Sequence, residues 1–515
     1  MTERTTASAI LPRIELKAVG DPAWSVLVVI VAAAIRLVAP LTNDTEWLIT
    51  NARRFLDGAV LYRDIVETNP PVAILMHVPA ALIERWTTVP AELLFTVMVF
   101  GGALASGLFF VATVKRVVPN VQFLLPVVLF VLLIAPLNGF DQREHVALIL
   151  TLPLIGVVVL RAGGVKPPWA IIVLVGLLAG LAPMIKPYFA LGIAVPYVAL
   201  TVVRRRLVTL LAPEAVIAAL LTVMSLAATW VLFPDYVRDV VPMLVALYRP
   251  MKQPLWQMVF SLPVLMWLFA VASLYVAVRK DLLSPFNLML LSAAFGYLIG
   301  FIDQGRGWAY QMYPAVALLL VVVFASVPRA LSGPESRARL ATAAAAAAGS
   351  MILLYACVFG FAGCRVAGPI RAAVKNPTIM SVTWDLAPGH PITTMVHGQW
   401  VGTYSSRWVT VNAGYLGRKA HEPEQQKRYA AWLAYDRTVT NRDLAKRPDI
   451  VLVGIGSPFD WHGWIARDPG TAELMSAYVL LARDSLEPGQ RGRLEGIEAW
   501  IRKDLVKSSA RPARP

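Results

Sequence analysis

A polar segment, Asn43 to Pro71, follows the first apolar segment of the chain, roughly 24–41. It carries Asp44 and Glu46 within one turn of the point where an apolar helix would leave a bilayer. A carboxylate so placed costs little only if it faces water or a polar cavity. There it can take a proton from an acceptor hydroxyl as general base, or help to hold a divalent cation. The pattern predicts acid chemistry on a lipid-borne substrate; the alternative is that Asn43 or Asp44 caps the next helix.

Five consecutive polar residues, Asp141 to His145, lie at the boundary of a later apolar segment. Arg143 offers a planar fork that fits phosphate oxygens, and His145 offers a second donor. We therefore interpret Arg143 and His145 as candidate phosphate ligands. The alternative is a solvated turn with internal ion pairs.

Two further cations stand at the ends of apolar segments. Lys186 interrupts the apolar stretch 176–200 and suits a lipid phosphate, although a lysine there can also snorkel to lipid headgroups. Arg306 lies between two glycines in the run 303–308, which lets the backbone and the guanidinium approach an anion closely. Trp308 in the same run has the alternative reading of an interfacial aromatic residue. The loop 234–256 either covers this site or forms an amphipathic interfacial helix.

Composition defines the class of protein that must position these side chains. The chain has 515 residues, is 57% hydrophobic, and has a mean hydropathy of +0.62 with only 15% charged residues. Soluble domains carry about 25% charged residues. The sequence therefore predicts an all-α polytopic membrane protein. A net charge of +15 fits basic cytoplasmic loops better than nucleic-acid binding. Two cysteines, Cys357 and Cys364, provide no disulfide framework.

Twelve apolar segments are long enough to consider as membrane spans. They are roughly 24–41, 71–86, 92–114, 121–138, 146–161, 169–185, 187–203, 213–233, 257–278, 284–302, 311–327 and 339–362. Five basic connections and the basic N-terminus all fall on the cytoplasmic side only if 71–86 does not cross. We therefore expect about 11 transmembrane helices, a cytoplasmic N-terminus and an active site on the outer face.

The tail after residue 364 differs in composition and is predicted to be a separate domain, 365–515, outside the membrane. Apolar runs at Ile450–Val453 and Tyr478–Leu481 are typical of buried strands. Helical sequence is expected at 422–435 and 489–504. The prediction is an extracytoplasmic α/β domain that follows a transmembrane domain, 1–364.

Several motifs together resemble the GT-C membrane glycosyltransferases, the family of protein O-mannosyltransferases and lipid A aminoarabinose transferases. Asp44 follows the first span, Gly58–Asp64 matches a G-x-x-x-Y-x-D pattern, and Asn69-Pro70-Pro71 stands where K-P-P is common. The segments Gln142–His145, Lys186–Phe189 and Gln304–Trp308 resemble an uncharacterised bacterial branch. The likeness covers about residues 20–330. It assigns substrate binding to Tyr62, Asp64, Gln304 and Trp308.

The resemblance implies transfer of a sugar from a polyprenyl-phosphate donor to a cell-envelope acceptor, on the periplasmic side of a bacterial inner membrane. Asp44 would be the base or acceptor-orienting residue, with Glu46 and Asp141 as further catalytic acids. Arg143, His145, Lys186 and Arg306 would bind and neutralise the donor phosphate. Direct displacement would invert the anomeric centre. Some relatives need a divalent metal such as Mg²⁺ or Mn²⁺ and others do not, so the cofactor stays open.

Two other functions remain compatible with the sequence. An O-antigen ligase or polymerase would also use outer arginines and histidines, but would not need Asp44. A solute transporter would place ionisable residues near the middle of the bilayer, often in repeated halves. The sequence shows no repeated halves, and its ionisable residues cluster at the ends of the apolar segments rather than near their middles. The absence of a P-loop also argues against ATP-driven transport by this chain alone.

Overall fold

The computed structural model describes residues 22–39, 41–118, 123–358, 365–485 and 495–509. The N-terminal part is helical. Its α-helices are α1 (Pro22–Val38), α2 (Asn43–Leu56), α3 (Pro71–Leu75), α4 (Val78–Trp86), α5 (Ala91–Val114), α6 (Leu124–Leu133), α7 (Arg143–Ala162), α8 (Trp169–Ile185), α9 (Ala190–Arg204), α10 (Pro213–Leu232), α11 (Val241–Met243), α12 (Leu255–Val259), α13 (Leu262–Leu282), α14 (Pro285–Gln304), α15 (Tyr313–Leu331) and α16 (Glu335–Val358).

Seven helices among the described residues are long and apolar enough to cross a membrane, or eight if the bent pair α1 and α2 forms one span. They are Ala91–Val114, Arg143–Ala162, Pro187–Arg204, Pro213–Leu232, Leu262–Leu282, Pro285–Gln304 and Ala309–Pro328. Two shorter apolar helices, α6 and α8, add to them. This arrangement confirms a polytopic helical membrane fold, while the count of eleven spans stays a prediction. The segment 71–86, predicted not to cross, folds as the two short helices α3 and α4.

Small residues bring the long helices into close contact around the site. On α8, a Cβ built at Gly176 would lie 2.9 Å from the carbonyl oxygen of Glu214 on α10. On α9, a Cβ at Gly192 would collide with the ring of Tyr297 on α14. Apolar helices in lipid associate by such close packing rather than by the hydrophobic effect. The helices α8 and α10, and α9 and α14, are therefore held close together.

The C-terminal part folds around a five-stranded sheet in the order β2-β1-β3-β5-β4. β2, β1 and β3 run parallel, β5 pairs antiparallel with β3, and the edge strand β4 pairs antiparallel with β5. The elements are α17 (Ala367–Ala373), β1 (Thr378–Val382), α18 (Ile392–Met395), β2 (Gln399–Trp400), α19 (Trp408–Lys419), α20 (Pro423–Ala445), β3 (Ile450–Ile455), α21 (Trp461–Ala466), α22 (Pro469–Met475), β4 (Tyr478–Asp484), β5 (Gly496–Arg502) and α23 (Lys503–Ser509).

This sheet confirms the predicted α/β character of the tail, and β3, β4 and α20 include the predicted strands and helix. The expected helix at 489–504 is wrong over 496–502, which form β5. Ile497, Ala499 and Ile501 alternate into the core, and this two-residue period is that of a strand. Residues 489–494 of that prediction, Cys364 and the Cys357 side chain lie outside the described residues.

The C-terminal domain docks on α2 and on the loop that follows it. The backbone N–H of Val66 donates to the carbonyl oxygen of Thr403 at 2.9 Å, and Arg54 Nη1 donates to the Gly402 carbonyl at 2.8 Å. Trp47 packs in the same buried cluster as Trp400. The helix that carries Asp44 is thus held between the apolar bundle and the sheet domain.

Candidate active site

Asp44 is the second residue of α2. The N-cap is Thr42, whose side-chain oxygen accepts from the backbone N–H of Thr45 at 3.3 Å. The alternative in which Asn43 or Asp44 caps this helix is therefore wrong. A carboxylate in the first turn is favoured by the helix dipole. Because Thr42 does the capping, the Asp44 side chain is available for other contacts.

Asp44 pairs with Arg143 across the start of two helices. Nη2 of Arg143, the first residue of α7, donates to Oδ2 of Asp44 at 2.8 Å. The Arg143 side chain is 6% exposed, while that of Asp44 is 28% exposed. Among the described residues, Nε of Arg143 is buried without a hydrogen-bond partner. Arg143 is thus the buried member of the pair, and the Asp44 carboxylate is the accessible one.

A second ion pair lies beside the first. Lys186 follows α8 in an extended conformation, and its Nζ donates to Oε1 of Glu144 at 2.7 Å. Lys186 also interacts electrostatically with Arg143 and Asp44, and its Nζ lies 5.9 Å from the centroid of the Tyr310 ring. Four charges of alternating sign therefore meet at one place. They come from the ends of α2, α7 and α8.

Arg306 lies at the edge of this cluster rather than inside it. Its Nη2 donates to the Tyr248 carbonyl at 2.7 Å and its Nη1 to the Met251 carbonyl at 3.1 Å. The guanidinium carbon stands 3.5 Å from the Tyr248 ring centroid. Gly305 and Gly307 have φ of +65° and +68°, which glycine adopts without strain. Arg306 thus fixes the helical segment that ends at Met251.

Tyr248 connects Arg306 with the four charged side chains of the cluster. It interacts electrostatically with Arg306, Arg143 and Asp44. It lies in the loop 234–256, which the structure shows to be largely helical, with π-helical turns at Tyr236–Val240 and Leu244–Tyr248. This loop therefore contacts the charged cluster through Tyr248.

Asp141 and His145 make local hydrogen bonds at the start of α7. Asp141 is 2% exposed, and its Oδ1 accepts from the Thr45 hydroxyl at 2.7 Å. His145 Nδ1 accepts from the Asp141 backbone N–H at 3.2 Å, and Nε2 lies 2.8 Å from the Leu132 carbonyl oxygen. Both ring nitrogens are engaged locally, so the structure does not bring the His145 ring into contact with Arg143 or Lys186. These contacts hold the start of α7 against α2.

Glu46 points away from Asp44. Its Oε2 accepts from the Thr394 hydroxyl of the C-terminal domain at 2.6 Å. Asp64 stabilises a surface turn, because its Oδ2 accepts from the Val60 N–H at 2.9 Å. These two acids therefore lie on the docking side of α2 and at the surface.

The other predicted substrate-binding residues are divided between the loop and α14. Tyr62 is buried, with φ of +70°, and donates to the Asn69 carbonyl at 2.8 Å while its ring lies 4.6 Å from that of Tyr236. Gln304 is buried at the end of α14. Trp308 is 43% exposed and stacks on Tyr310 with ring centroids 5.9 Å apart. Trp308 is thus the most accessible of this set.

Sequence reasoning missed four residues of this region: Glu67, Glu144 as a lysine partner, Tyr248 as a contact of the cluster, and Tyr310. Glu67 is buried, accepts from Asn69 N at 3.0 Å and from the Trp47 indole, and interacts electrostatically with Arg143. A signal for Glu144 was present, since it adjoins Arg143. Nothing local marks Glu67, because its neighbours are brought together only by the docking of the loop.

A metal site does not emerge from the predicted acids. In the described ranges, no group of three or more His, Cys, Asp and Glu residues is placed to hold a metal ion. Asp44 contacts Arg143 and Glu46 contacts Thr394, so the two carboxylates do not converge. Among the described residues, Asp44 and Glu46 therefore do not form a shared set of oxygen ligands of the kind that binds Mg²⁺ or Mn²⁺.

Comparison with known proteins gives one structural likeness. No protein-family model matches the sequence, and a search of curated proteins finds no significant match. Among solved structures, the fold is similar to ArnT from Cupriavidus metallidurans bound to undecaprenyl phosphate, with a TM-score of 0.49 and 15% sequence identity. The match covers 96% of this chain and 100% of that one. The function proposed below rests on the arrangement of this chain's own residues.

Proposed function

We propose that the protein is a membrane glycosyltransferase that moves a sugar from a polyprenyl-phosphate donor to a cell-envelope acceptor. The observation that carries the proposal is the ion pair between an accessible acid, Asp44, and the nearly buried Arg143, beside a second nearly buried cation, Lys186, where apolar helices end. A lipid phosphate lies at this depth in a bilayer, so a lipid-linked substrate can reach these side chains from within the membrane.

The cations suit the leaving group of such a transfer. When the acceptor hydroxyl attacks the anomeric carbon, the bond from that carbon to the phosphate oxygen breaks and its electrons stay on the phosphate. The lipid phosphate therefore gains negative charge. Fixed cations aimed at developing charge lower the barrier, most strongly where water is excluded. Arg143 and Lys186 would supply this charge without reorganising.

Asp44 suits the other half of the reaction. It is the most exposed of the four charged side chains in the cluster, and Arg143 fixes its direction. Its carboxylate would accept the proton of the attacking hydroxyl as general base. Attack from the side opposite the phosphate inverts the anomeric centre. Trp308, which is half exposed near Lys186 through its stack on Tyr310, would offer a flat apolar face to the sugar.

The distribution of basic residues between the two ends of the helices supports one orientation of the chain. We place the end that carries Asp44 and the sheet domain on the periplasmic side of a bacterial inner membrane, because the short basic connections lie at the other end of the helices. Lipid-linked envelope precursors are consumed on that side.

The proposal is tested by mass spectrometry of envelope glycans and lipids from a deletion strain. We expect one glycosyl addition to disappear and an unused lipid-linked sugar to accumulate. Wild-type protein and an Asp57→Asn variant should restore the addition, whereas Asp44→Asn should not. Asp57 is a matched control because it lies just after the same helix with its side chain 71% exposed. Restoration by Asp44→Asn would instead favour a ligase or polymerase that does not need this acid.

A further inference from the structure

Lys186 is already held by a negative partner before any phosphate arrives. Its ammonium group contacts Oε1 of Glu144 at 2.7 Å, and the Glu144 side chain is fully buried. A lysine that serves a phosphate would need no such partner in a water-filled site. Its presence means that a bound phosphate must compete with Glu144 for the same ammonium group.

Glu144 itself is incompletely satisfied. Its second carboxylate oxygen, Oε2, is buried and has no hydrogen-bond partner among the described residues. A buried carboxylate oxygen without a partner carries a desolvation cost. Arg143 and Tyr310 interact with this carboxylate electrostatically, which leaves Lys186 as its direct ion-pair partner in the described structure.

The charge count shows what this carboxylate changes. Asp44, Arg143, Glu144 and Lys186 sum to zero when all four are ionised. A phosphodiester donor carries one negative charge, and a released phosphate monoester carries about 1.5 to 2 at neutral pH. Two unopposed cations would therefore hold the product more tightly than the donor.

We propose that Glu144 is a positioning residue that competes with the lipid phosphate for Lys186 and thereby limits how tightly the phosphate product is held. This inference rests on the proposed function. Lys186 turns from Glu144 to the phosphate when the donor binds. After transfer, Glu144 takes Lys186 back from the product, so the lipid phosphate leaves.

The test is equilibrium binding of a polyprenyl monophosphate to the full-length protein in nanodiscs, with the uncharged polyprenol as reference lipid. Glu144→Gln keeps the side-chain volume and an oxygen that accepts from Lys186, but removes the negative charge. We expect it to tighten monophosphate binding about tenfold and to leave polyprenol binding unchanged. In turnover assays, the same variant should show stronger inhibition by added monophosphate.

A double-mutant cycle shows whether the effect passes through Lys186. In a Lys186→Met background, Glu144→Gln should no longer tighten monophosphate binding. The inference would be overturned if Glu144→Gln tightened monophosphate binding by a similar factor in the Lys186→Met background. It would also be overturned if Glu144→Gln alone bound the monophosphate no more tightly than wild type does. Glu144→Asp is a second variant, in which the shorter side chain withdraws the charge from Lys186, and it should tighten binding two- to threefold; no tightening would also count against the inference.

The two proposals fail in different ways. Wild-type protein that does not prefer monophosphate to polyprenol contradicts the proposed function. If wild type prefers the monophosphate and Glu144→Gln binds it with the same affinity as wild type, only the role of Glu144 is contradicted.

Discussion

Asp44 Oδ2 and Arg143 Nη2 lie 2.8 Å apart at the first turns of two helices that are 99 residues apart in the chain. Taken alone, Asp44 is an acid in the first turn of a helix, and Arg143 is a cation at the end of an apolar segment; both are common in membrane proteins. Together they place an accessible acid directly beside a buried guanidinium. The contact also joins the N-terminal ends of α2 and α7, so the proposed chemistry and the packing depend on the same pair.

Asp44→Asn is expected to remove the general base while preserving size and a hydrogen bond to Arg143. Transfer should fall by about 10²- to 10⁴-fold, the usual contribution of a positioned base. Donor binding should change little, because the cations remain. The measurement is single-turnover transfer together with donor affinity, and a loss confined to affinity would contradict the assignment.

Arg143→Lys is expected to weaken lipid-phosphate binding about tenfold or more, although the charge is kept. Lysine is a point charge and cannot replace the planar fork that contacts Asp44. Binding of a polyprenyl monophosphate measures the effect. Equal affinity of Arg143→Lys and wild type would show that the guanidinium geometry does not matter.

Arg306→Ala is expected to loosen the helical segment that ends at Met251. Two hydrogen bonds to carbonyl oxygens and a contact with the Tyr248 ring are lost together. Hydrogen exchange should accelerate in residues 244–253 but not in α5 or α15. Unchanged exchange there, with a large loss of monophosphate affinity, would assign Arg306 to the phosphate instead.

Arg407→Met is expected to destabilise the C-terminal domain by about 3–5 kcal/mol, because it removes the buried cation that pairs with Asp436 and leaves Asp443 with Lys446 alone. Arg407 is 1% exposed and contacts Asp443 at 3.2 Å and Asp436 at 3.5 Å. Thermal unfolding of the purified protein measures the loss. Arg467→Ala, at a side chain that is 66% exposed, is the matched control and should change stability by less than about 0.5 kcal/mol.

Glu495 is expected to make the C-terminal domain pH-dependent. Burial raises the pKa of its carboxyl to about 7, although the Asp385 N–H and the Trp461 indole both donate to it. An acid whose pKa is raised on folding contributes stability that is complete below its unfolded pKa of about 4.5 and is lost as pH rises through about 7. Between pH 5 and pH 8, wild type should therefore lose stability relative to Glu495→Gln. Parallel melting curves for the two proteins across this range would contradict the shift.

Much of the architecture follows from composition and periodicity. The long apolar runs predict the helices of the bundle, because only helices satisfy the backbone in lipid. The runs at Ile450–Val453 and Tyr478–Leu481 predict two strands of the sheet. The strand Gly496–Arg502 was not predicted, since its charged and aromatic residues obscure the alternation and its burial comes from the partner strands β3 and β4.

The site was predictable in its residue types and less so in its pairings. Asp44, Arg143 and Lys186 stand out because each interrupts or ends an apolar segment. That Glu144 takes Lys186, and that Arg306 binds carbonyl oxygens rather than facing Arg143, depends on how α7, α8 and α14 pack. Those contacts join residues 42 to 58 positions apart, which no local pattern encodes.

The proposed reaction depends on Asp44 acting with Arg143 and Lys186 on a lipid-phosphate sugar. Its most direct test uses the lipid-linked sugar that accumulates in the deletion strain, supplied to purified protein in nanodiscs with membranes of that strain as acceptor. We expect wild type to transfer the sugar and release the lipid monophosphate, and Asp44→Asn to bind the donor with near wild-type affinity but to transfer the sugar about 10²- to 10⁴-fold more slowly. The proposed function would be contradicted if Asp44→Asn transferred the sugar at the wild-type rate. It would also be contradicted if Lys186→Met bound the donor as tightly as wild type does.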